Sequence, residues 1–332
     1  MMKRLVKSAI EIGGLYRPYG WLQRNKGLIL TYHGVTTSKD RQEWSHLHVD
    51  EFERQMTYLK NHYRPISLSQ LMDMLEAGTV ESNTAVVTFD DGYRSVYKLA
   101  YPILKRLGIP TTVFLISEFL SEKEQTPGYI WPDKITTWLD STRDKHVDLS
   151  QFGLGRYSLD TPEKAYAARG QITKELKLKP IAKRDEVMNF LSDKFESAVN
   201  HEAFATYHPM SWDEARTMGQ DELITLGGHT RTHPILSRVE EKDLDGEIAG
   251  GKADVEAKLG YSIDEFAYPN GRDIDISPAS RTVAQSSFRC AVTTVEGLNE
   301  PGEDPFMLKR MNIGSDLTFS RFKALLSGIY SR

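Results

Sequence analysis

The sequence predicts an α/β fold of mostly parallel strands curled into a barrel or a barrel-like sheet. Three observations lead there. Short apolar runs of strand length alternate with runs of helical periodicity. Roughly seven or eight such strands are separated by helices. The chain has 332 residues, 39% hydrophobic and 27% charged, a globular composition long enough for one large barrel or two ordinary domains.

In chain order, Gly27 to His33 (GLILTYH) reads as the first strand. Asp50 to Asn61 reads as a helix, started by a capping-box-like Asp50/Glu53 pair and striped by Phe52, Met56 and Leu59. A second helix starts near Ser67, carries Leu68, Leu71, Met72 and Leu75, and stops at Gly78. Thr84 to Phe89 (TAVVTF) is a strand that ends abruptly in Asp90-Asp91-Gly92. The helix after it has Val96, Leu99, Ile103 and Leu107 on one face, a kink expected at Pro102, and Gly108 as its stop. Thr111 to Ile116 is a further buried strand.

From about residue 121 to 210 the rhythm breaks. This stretch is mostly polar and helical, with Thr161-Pro162 as a helix start, and it reads as an insertion: a lid or wall beside the site, or a surface excursion. The α/β rhythm then resumes. Ser211 and Glu214 form a capping box, Leu223 to Leu226 a strand, and Glu240 to Leu259 a charged helix ended by Gly260. Phe266 to Pro269, Ala291 to Thr294 and Met307 to Ile313 supply three more short strands. The organisation expected is a basic and apolar segment at 1–26 followed by a barrel domain at 27–332 containing the insertion.

Several function classes drop out. A formal charge of −4 and a pI near 6.2 leave no basic excess for nucleic acid. The single cysteine, Cys290, rules out an internal disulfide framework and reads as a buried thiol. No apolar run is long enough for a transmembrane helix, and no long h-region for a signal peptide follows Lys3, Arg4 and Lys7. A cytoplasmic location is therefore expected. Residues 2–24 mix apolar and basic side chains, which fits either a segment packed on the domain or a peripheral membrane contact.

Two motifs carry chemistry. Thr88-Phe89-Asp90-Asp91-Gly92 puts adjacent carboxylates at a strand end, where parallel α/β folds keep their functional groups. His229-Thr230-Arg231-Thr232-His233 follows a strand and a Gly-Gly pair, and histidines four apart can grip one ion from one face of a turn. Together they offer two imidazoles and one carboxylate for a divalent metal, with a second carboxylate to take a proton from the attacking water. Zinc is the first expectation for that set, and cobalt, manganese or nickel can also accept it. His46 and His48, spaced by two, read as an ordinary surface loop.

With both motifs in this order, the chain resembles the polysaccharide deacetylase family (NodB homology, carbohydrate esterase family 4) from about Leu28 to Ile313. The resemblance implies a distorted (β/α)7 barrel. It implies a hydrolase that removes N-acetyl groups from amino sugars of a polysaccharide or lipid-linked saccharide, leaving acetate and a free amine. It makes Asp90 the general base and Asp91, His229 and His233 the metal ligands. It assigns Tyr268, Pro269, Asn270 and Gly271 to substrate and oxyanion binding, with the Asn270 N–H as donor.

Three departures stand out. Ala267 occupies the position of the arginine that often orients the base, and Arg310 is either its substitute or a surface residue. No histidine follows His233, so the late general acid is absent, and His33 is either its replacement or a structural histidine. The insertion places Trp131, beside Tyr129 and Ile130, either against a sugar face or in a core. A carbohydrate-binding protein without catalysis, or another amide hydrolase on the same fold, remains the alternative.

Overall fold

The computed structural model describes residues 23–38, 43–123 and 127–328. Residues 1–22, which hold most of the segment read as a membrane contact, lie outside them. Twelve strands are present among the described residues: β1 Leu28–Tyr32, β2 Gly34–Thr36, β3 His46–His48, β4 Arg64–Pro65, β5 Thr84–Phe89, β6 Thr111–Leu115, β7 His146–Asp148, β8 Arg156–Ser158, β9 Ile224–Gly228, β10 Glu265–Ala267, β11 Cys290–Val292 and β12 Met311–Asn312. The main helices are α1 Val49–His62, α2 Leu68–Glu76, α3 Tyr101–Leu107, α4 Trp131–Ser141, α5 Pro162–Leu176, α6 Ile181–Phe195, α7 Trp212–Gly219, α8 Glu241–Leu259, α9 Pro278–Ser287 and α10 Phe319–Leu326.

Seven parallel strands form a curled sheet in the order β11-β10-β9-β6-β5-β1-β12, and an eighth, the two-residue β4, also pairs with β5. The sheet comes round on itself through little more than one bridge. Leu308 pairs with Val292 beside β11, and three residues later Met311 pairs with Leu30 of β1. This is the distorted (β/α)7 barrel expected, and the short closing strand is where it is distorted.

Strand alternation sorts side chains between two cores. Ala85, Val87 and Phe89 of β5 pack with the surrounding helices, including Phe52, Met56 and Leu59 of α1. Val86 belongs to the inner cluster with Ile29, Phe114, Cys290 and Leu308, to which α2 adds Leu68, Leu71, Met72 and Leu75. Cys290 is the buried thiol expected.

Helix ends follow local chemistry. Ser67/Gln70 and Ser211/Glu214 form complete capping boxes, and Gly108 and Gly260 end their helices in the left-handed region at φ 62° and 82°. The Asp50/Glu53 start is corrected. The N-cap is His48, whose Nδ1 accepts the Asp50 N–H, and Asp50 lies in the first turn. The kink expected at Pro102 is a π turn over Val96–Ala100 just before the proline. The short pairs β2–β3 and β7–β8, and helices α9 and α10, are additions to the sequence-based outline.

Between β6 and β9, the chain builds α4, a β7–β8 hairpin, α5 and α6 around their own apolar cluster, with Trp138, Ile172, Leu176, Leu191 and Phe195 at its centre. The polar look of this stretch in sequence reflects thin helices wetted on most faces. It is tied down by polar links. Tyr93 Oη donates to Asp133 of α4 at 2.7 Å, and Arg169 of α5 bridges Glu43 and Asp140 at 2.6 and 2.9 Å.

One inner-core group titrates near neutrality. Glu265 accepts from Thr112 Oγ1 at 2.9 Å through Oε2, and its Oε1 is buried without a partner. Burial pushes its carboxyl up to about 7. A carboxyl raised on folding is stabilising while protonated. That contribution is lost as pH rises from the unfolded value, near 4.5, through about 7. Glu265→Gln should therefore gain stability relative to the parent as pH rises, by about 3 kcal/mol at pH 8. Thermal melts at pH 5 and pH 8 check it; an offset identical at both values would contradict the buried ionisation.

Candidate active site

The site forms at the C-terminal ends of β1, β5 and β9, and Arg310, the residue just before β12, reaches it with its side chain. Strand β5 ends and the chain turns sharply, with Asp91 at φ 75° and Gly92 at φ 88°. A side chain at Asp91 is tolerated there at a conformational cost. Of the five non-glycine residues with positive φ among the described residues, Asp91, Thr230, His233 and Asn270 all lie in the motifs singled out from sequence. Strain concentrated in this way marks segments held in place for their side chains.

Asp91, His229 and His233 are buried and offer ligand atoms within 4.8 Å of one another. Each histidine Nε2 lies 3.4 Å from Asp91 Oδ1, yet that oxygen has no hydrogen bond. His229 Nδ1 lies 2.7 Å from the Ala267 carbonyl. A carbonyl only accepts, so Nδ1 carries the proton and Nε2 presents its lone pair. An orphaned buried carboxylate oxygen facing an imidazole lone pair is costly unless a cation lies between them. The donor set therefore fits a divalent metal.

Burial disfavours an ionised Asp91, but the neighbouring histidines outweigh it and hold the carboxyl well below the usual range. Burial alone would lower His229, but Asp91 and Asp90 outweigh it and raise its value. Burial pushes His233 down to about 3, so this ring stays neutral.

Asp90 is held differently. Arg310 is fully buried and grips both Asp90 oxygens at 2.7 Å, one from each terminal nitrogen. Its Nε donates to the Thr293 carbonyl at 2.7 Å, and Nη1 also reaches Thr88 Oγ1 at 3.2 Å. Burial would raise the Asp90 carboxyl, but the Arg310 charge and hydrogen bonds outweigh it and lower it. Of the two readings of Arg310, the geometry excludes a surface residue.

His33 stands at the end of β1, half-buried, with Nδ1 buried and unpartnered and its ring 5.6 Å from that of Trp44. It lies near enough to Asp90 and Asp91 to count among the groups that lower both carboxyls. Pro269 and Gly271 are buried, and Gly271 turns at φ 60°. Asn270 has its side-chain nitrogen buried without a partner. Tyr268 does not join the site: it packs in the outer core, its ring 5.1 Å from Phe266. Alternation explains this, because Ala267 points inward and Tyr268 outward. Trp131 is 8% exposed, and the Arg184 guanidinium lies 5.4 Å from its ring centroid. The surface-loop reading of His46 is corrected. The ring is 2% exposed, reaches the Thr206 carbonyl at 3.1 Å, and packs on Tyr93 and Tyr207. It can lie there because Gly34 has no side chain; a Cβ at that position would come within 2.2 Å of the ring.

Sequence reading missed what supports the histidine loop. Helix α8 looked merely charged. Its Glu247 accepts from the Thr232 N–H and Oγ1, and its Asp254 pairs with Arg231 at 2.7 Å. Gly251 lets the helix approach the loop backbone, where a Cβ would fall 2.8 Å from Thr230 C and 2.9 Å from Arg231 N. Gly251→Ala should therefore cost about 1–3 kcal/mol by overpacking and weaken metal retention. Gly246, on the same helix with open space around it, supplies the control: Gly246→Ala should stabilise by about 0.5–1 kcal/mol. Melting curves with and without added zinc distinguish the pair, and equal behaviour of the two variants would refute the contact.

A sequence model of the polysaccharide deacetylase family matches residues 77–147 and 186–289, more than half of the chain. This chain belongs to the polysaccharide deacetylase family. Among curated relatives, a poly-beta-1,6-N-acetyl-D-glucosamine N-deacetylase of Staphylococcus aureus is 29% identical over 115 residues, covering 30% of this chain and 39% of the relative. YxkH of Bacillus subtilis is 32% identical over 108 residues, covering 31% and 37%. The match thus spans less than two fifths of either relative. The fold likeness is broader. IcaB from Ammonifex degensii superposes with a TM-score of 0.58 at 19% identity, over 92% of this chain and 98% of that one. The Streptococcus pyogenes deacetylase PplD, solved with acetate, gives a TM-score of 0.58 at 17% identity, over 93% and 100%. The polysaccharide deacetylase fold therefore extends across nearly all of this chain. No helix among the described residues is long and apolar enough to cross a membrane.

Proposed function

We propose that this polysaccharide deacetylase family member is a metal-dependent hydrolase that removes N-acetyl groups from amino sugars of a polysaccharide or lipid-linked saccharide. The observation that carries the reading is the convergence of Asp91, His229 and His233 beside a carboxylate, Asp90, clamped by a buried arginine. Asp91, His229 and His233 would hold the metal, zinc first among the candidates. When bound, such an ion polarises the acetamide carbonyl and makes water more acidic.

The chain's own groups do the rest. Asp90 accepts the proton of the attacking water. Arg310 keeps it ionised and fixes its plane, at the cost of making it a weaker base. The Asn270 N–H faces the developing oxyanion. His33, its Nδ1 free of internal bonds, donates the proton that the departing amine needs, in place of the absent late histidine. The products are acetate and a free sugar amine.

A purely carbohydrate-binding role was motivated by the altered third motif, and Arg310 weakens that motive by gripping Asp90 from another strand. Acetate release from N-acetylglucosamine oligomers by zinc-loaded protein is the direct test. Asp90→Asn should lower turnover by about 10²–10⁴-fold while zinc content stays the same. Turnover unchanged in that variant would remove Asp90 from the role of base. No acetate from any N-acetylhexosamine oligomer or lipid-linked sugar would defeat the hydrolase reading.

A further inference from the structure

The segment between β2 and β3 sets a large aromatic at the rim of the site: Trp44 is 38% exposed. A single exposed apolar side chain is ordinary on a protein surface. This one is set apart by how firmly it is held and by what stands beside it. Glu43 pairs with Arg169 of α5 at 2.6 Å, with side chains 17% and 9% exposed. The Trp44 carbonyl accepts the Ser315 N–H at 3.0 Å, the Ser45 carbonyl accepts the Gly34 N–H at 2.9 Å, and His46 is buried. The backbone at Trp44 is therefore fixed from the insertion and from the barrel. The ring itself rests on Gly314. A Cβ there would fall within 2.7 Å of indole Nε1, Cδ1 and Cε2, and a point that near to three successive ring atoms lies over the flat of the ring, not at its edge. The indole fills the room that a glycine leaves.

The ring stands over the C-terminal ends of two paired strands. Gly314 comes two residues after β12, and His33 comes directly after β1. The His33 ring lies 5.6 Å from the Trp44 ring at an angle of 63°. These are the strand ends beside Asp90, which Arg310 reaches from just before β12. Folding alone gains little from an indole left more than a third uncovered. An apolar surface that is both exposed and already immobilised is preorganised for a ligand, because little side-chain freedom is left to lose on binding.

We propose that Trp44 is a stacking platform for a sugar ring of the saccharide substrate. A pyranose whose substituents are mostly equatorial presents axial C–H groups over its faces. Such a face is a flat apolar patch that suits an indole, while the hydroxyls around its edge stay in water. A simple linear acetamide offers no such face. Trp44 thereby makes binding depend on the sugar around the acetamide, which separates an amino-sugar deacetylase from a hydrolase of small amides on the same fold. The role rests on the deacetylase reading for its reaction, but not for its binding.

The test titrates zinc-loaded Asp90→Asn protein with an N-acetylglucosamine pentasaccharide by calorimetry, which reads binding without turnover. Trp44→Ala in that background should weaken binding by about fivefold or more. Trp44→Phe keeps a ring and should recover most of the affinity. Tyr261 supplies the control. It is 43% exposed and lies between α8 and β10, at the end of the barrel opposite the site, so Tyr261→Ala should leave binding unchanged. In protein with Asp90 intact, Trp44→Ala should raise KM for the pentasaccharide by the same factor, while kcat and its pH profile stay those of the parent. Affinity that depends on Trp44 upholds the platform even if no acetate is ever released, and then only the hydrolase reading falls. Equal affinity in the parent and Trp44→Ala, or no measurable binding by the parent, overturns the proposal and leaves any acetate release standing. A fall in kcat with a shifted pH profile at constant KM also overturns it, because Trp44 would then serve only to hold His33 in place.

Discussion

Replacing Arg310 with methionine should destabilise the protein by about 3–5 kcal/mol and abolish acetate release. Arg310 is wholly buried and makes four hydrogen bonds, two of them to the carboxylate of Asp90. Removing it leaves a carboxylate 2% exposed with no counter-charge. Much of the penalty is the uncompensated charge, not the lost pair itself. The double variant Arg310→Met/Asp90→Asn should therefore recover a large part of the stability without recovering activity, a coupling that a double-mutant cycle reads from chemical denaturation. The pH dependence has the matching sign. Because Arg310 lowers the Asp90 carboxyl below its unfolded value, their pairing contributes stability above that unfolded value. The contribution is lost as pH falls through the lowered one. If the single and double variants are equally unstable, the clamp is not an ion pair that matters.

Replacing Asp91 with alanine should have the largest effect on metal content. With the carboxylate gone, two neutral imidazoles remain at the site, and His233 is held on a left-handed backbone at φ 59°. Two nitrogen ligands grip a divalent ion far less firmly than two nitrogens and an anionic oxygen. Purified Asp91→Ala should contain little zinc by elemental analysis and show no turnover, while Asp90→Asn should keep its zinc and lose turnover. The folding consequences also differ. The neighbouring histidines hold the Asp91 carboxyl well below its usual range, so its ionised form stabilises the metal-free fold, and Asp91→Ala should be less stable than the metal-free parent near neutral pH. If Asp91→Ala binds zinc as tightly as the parent, the ligand assignment is wrong whatever happens to activity.

Much of the fold was legible because its signals are local. TAVVTF is a strand to the residue, and the capping pairs at Ser67 and Ser211 start their helices as expected. Glycines 108 and 260 end theirs because only a residue without Cβ sits comfortably at positive φ. The misreadings have different causes. The α1 cap is a local choice between His48 and Asp50, two residues apart, and the direction of Tyr268 follows strand alternation, but the burial of His46 depends on partners distant in sequence. The His46 ring finds Tyr93, Tyr207 and Thr206, and no window around HLH announces them. The support from α8 was hidden for the same reason. A Gly-Gly pair in a charged helix looks like a weakness until the loop packed against it is seen.

The candidate chemistry divides along the same line. By itself, the sequence determined which groups could react: two carboxylates at one strand end, two histidines at another, and a missing arginine and late histidine that demanded substitutes. Tertiary structure decided which of them meet. It brought Arg310, just before the closing strand, to Asp90, set two imidazoles against Asp91, and turned Tyr268 out of the mouth. The physical reason is that residue type and local spacing set pKa, donor type and backbone preference over a few residues. Burial and charge pairing, which turn those groups into a site, are properties of contacts spanning hundreds of residues, and only the closed barrel makes them.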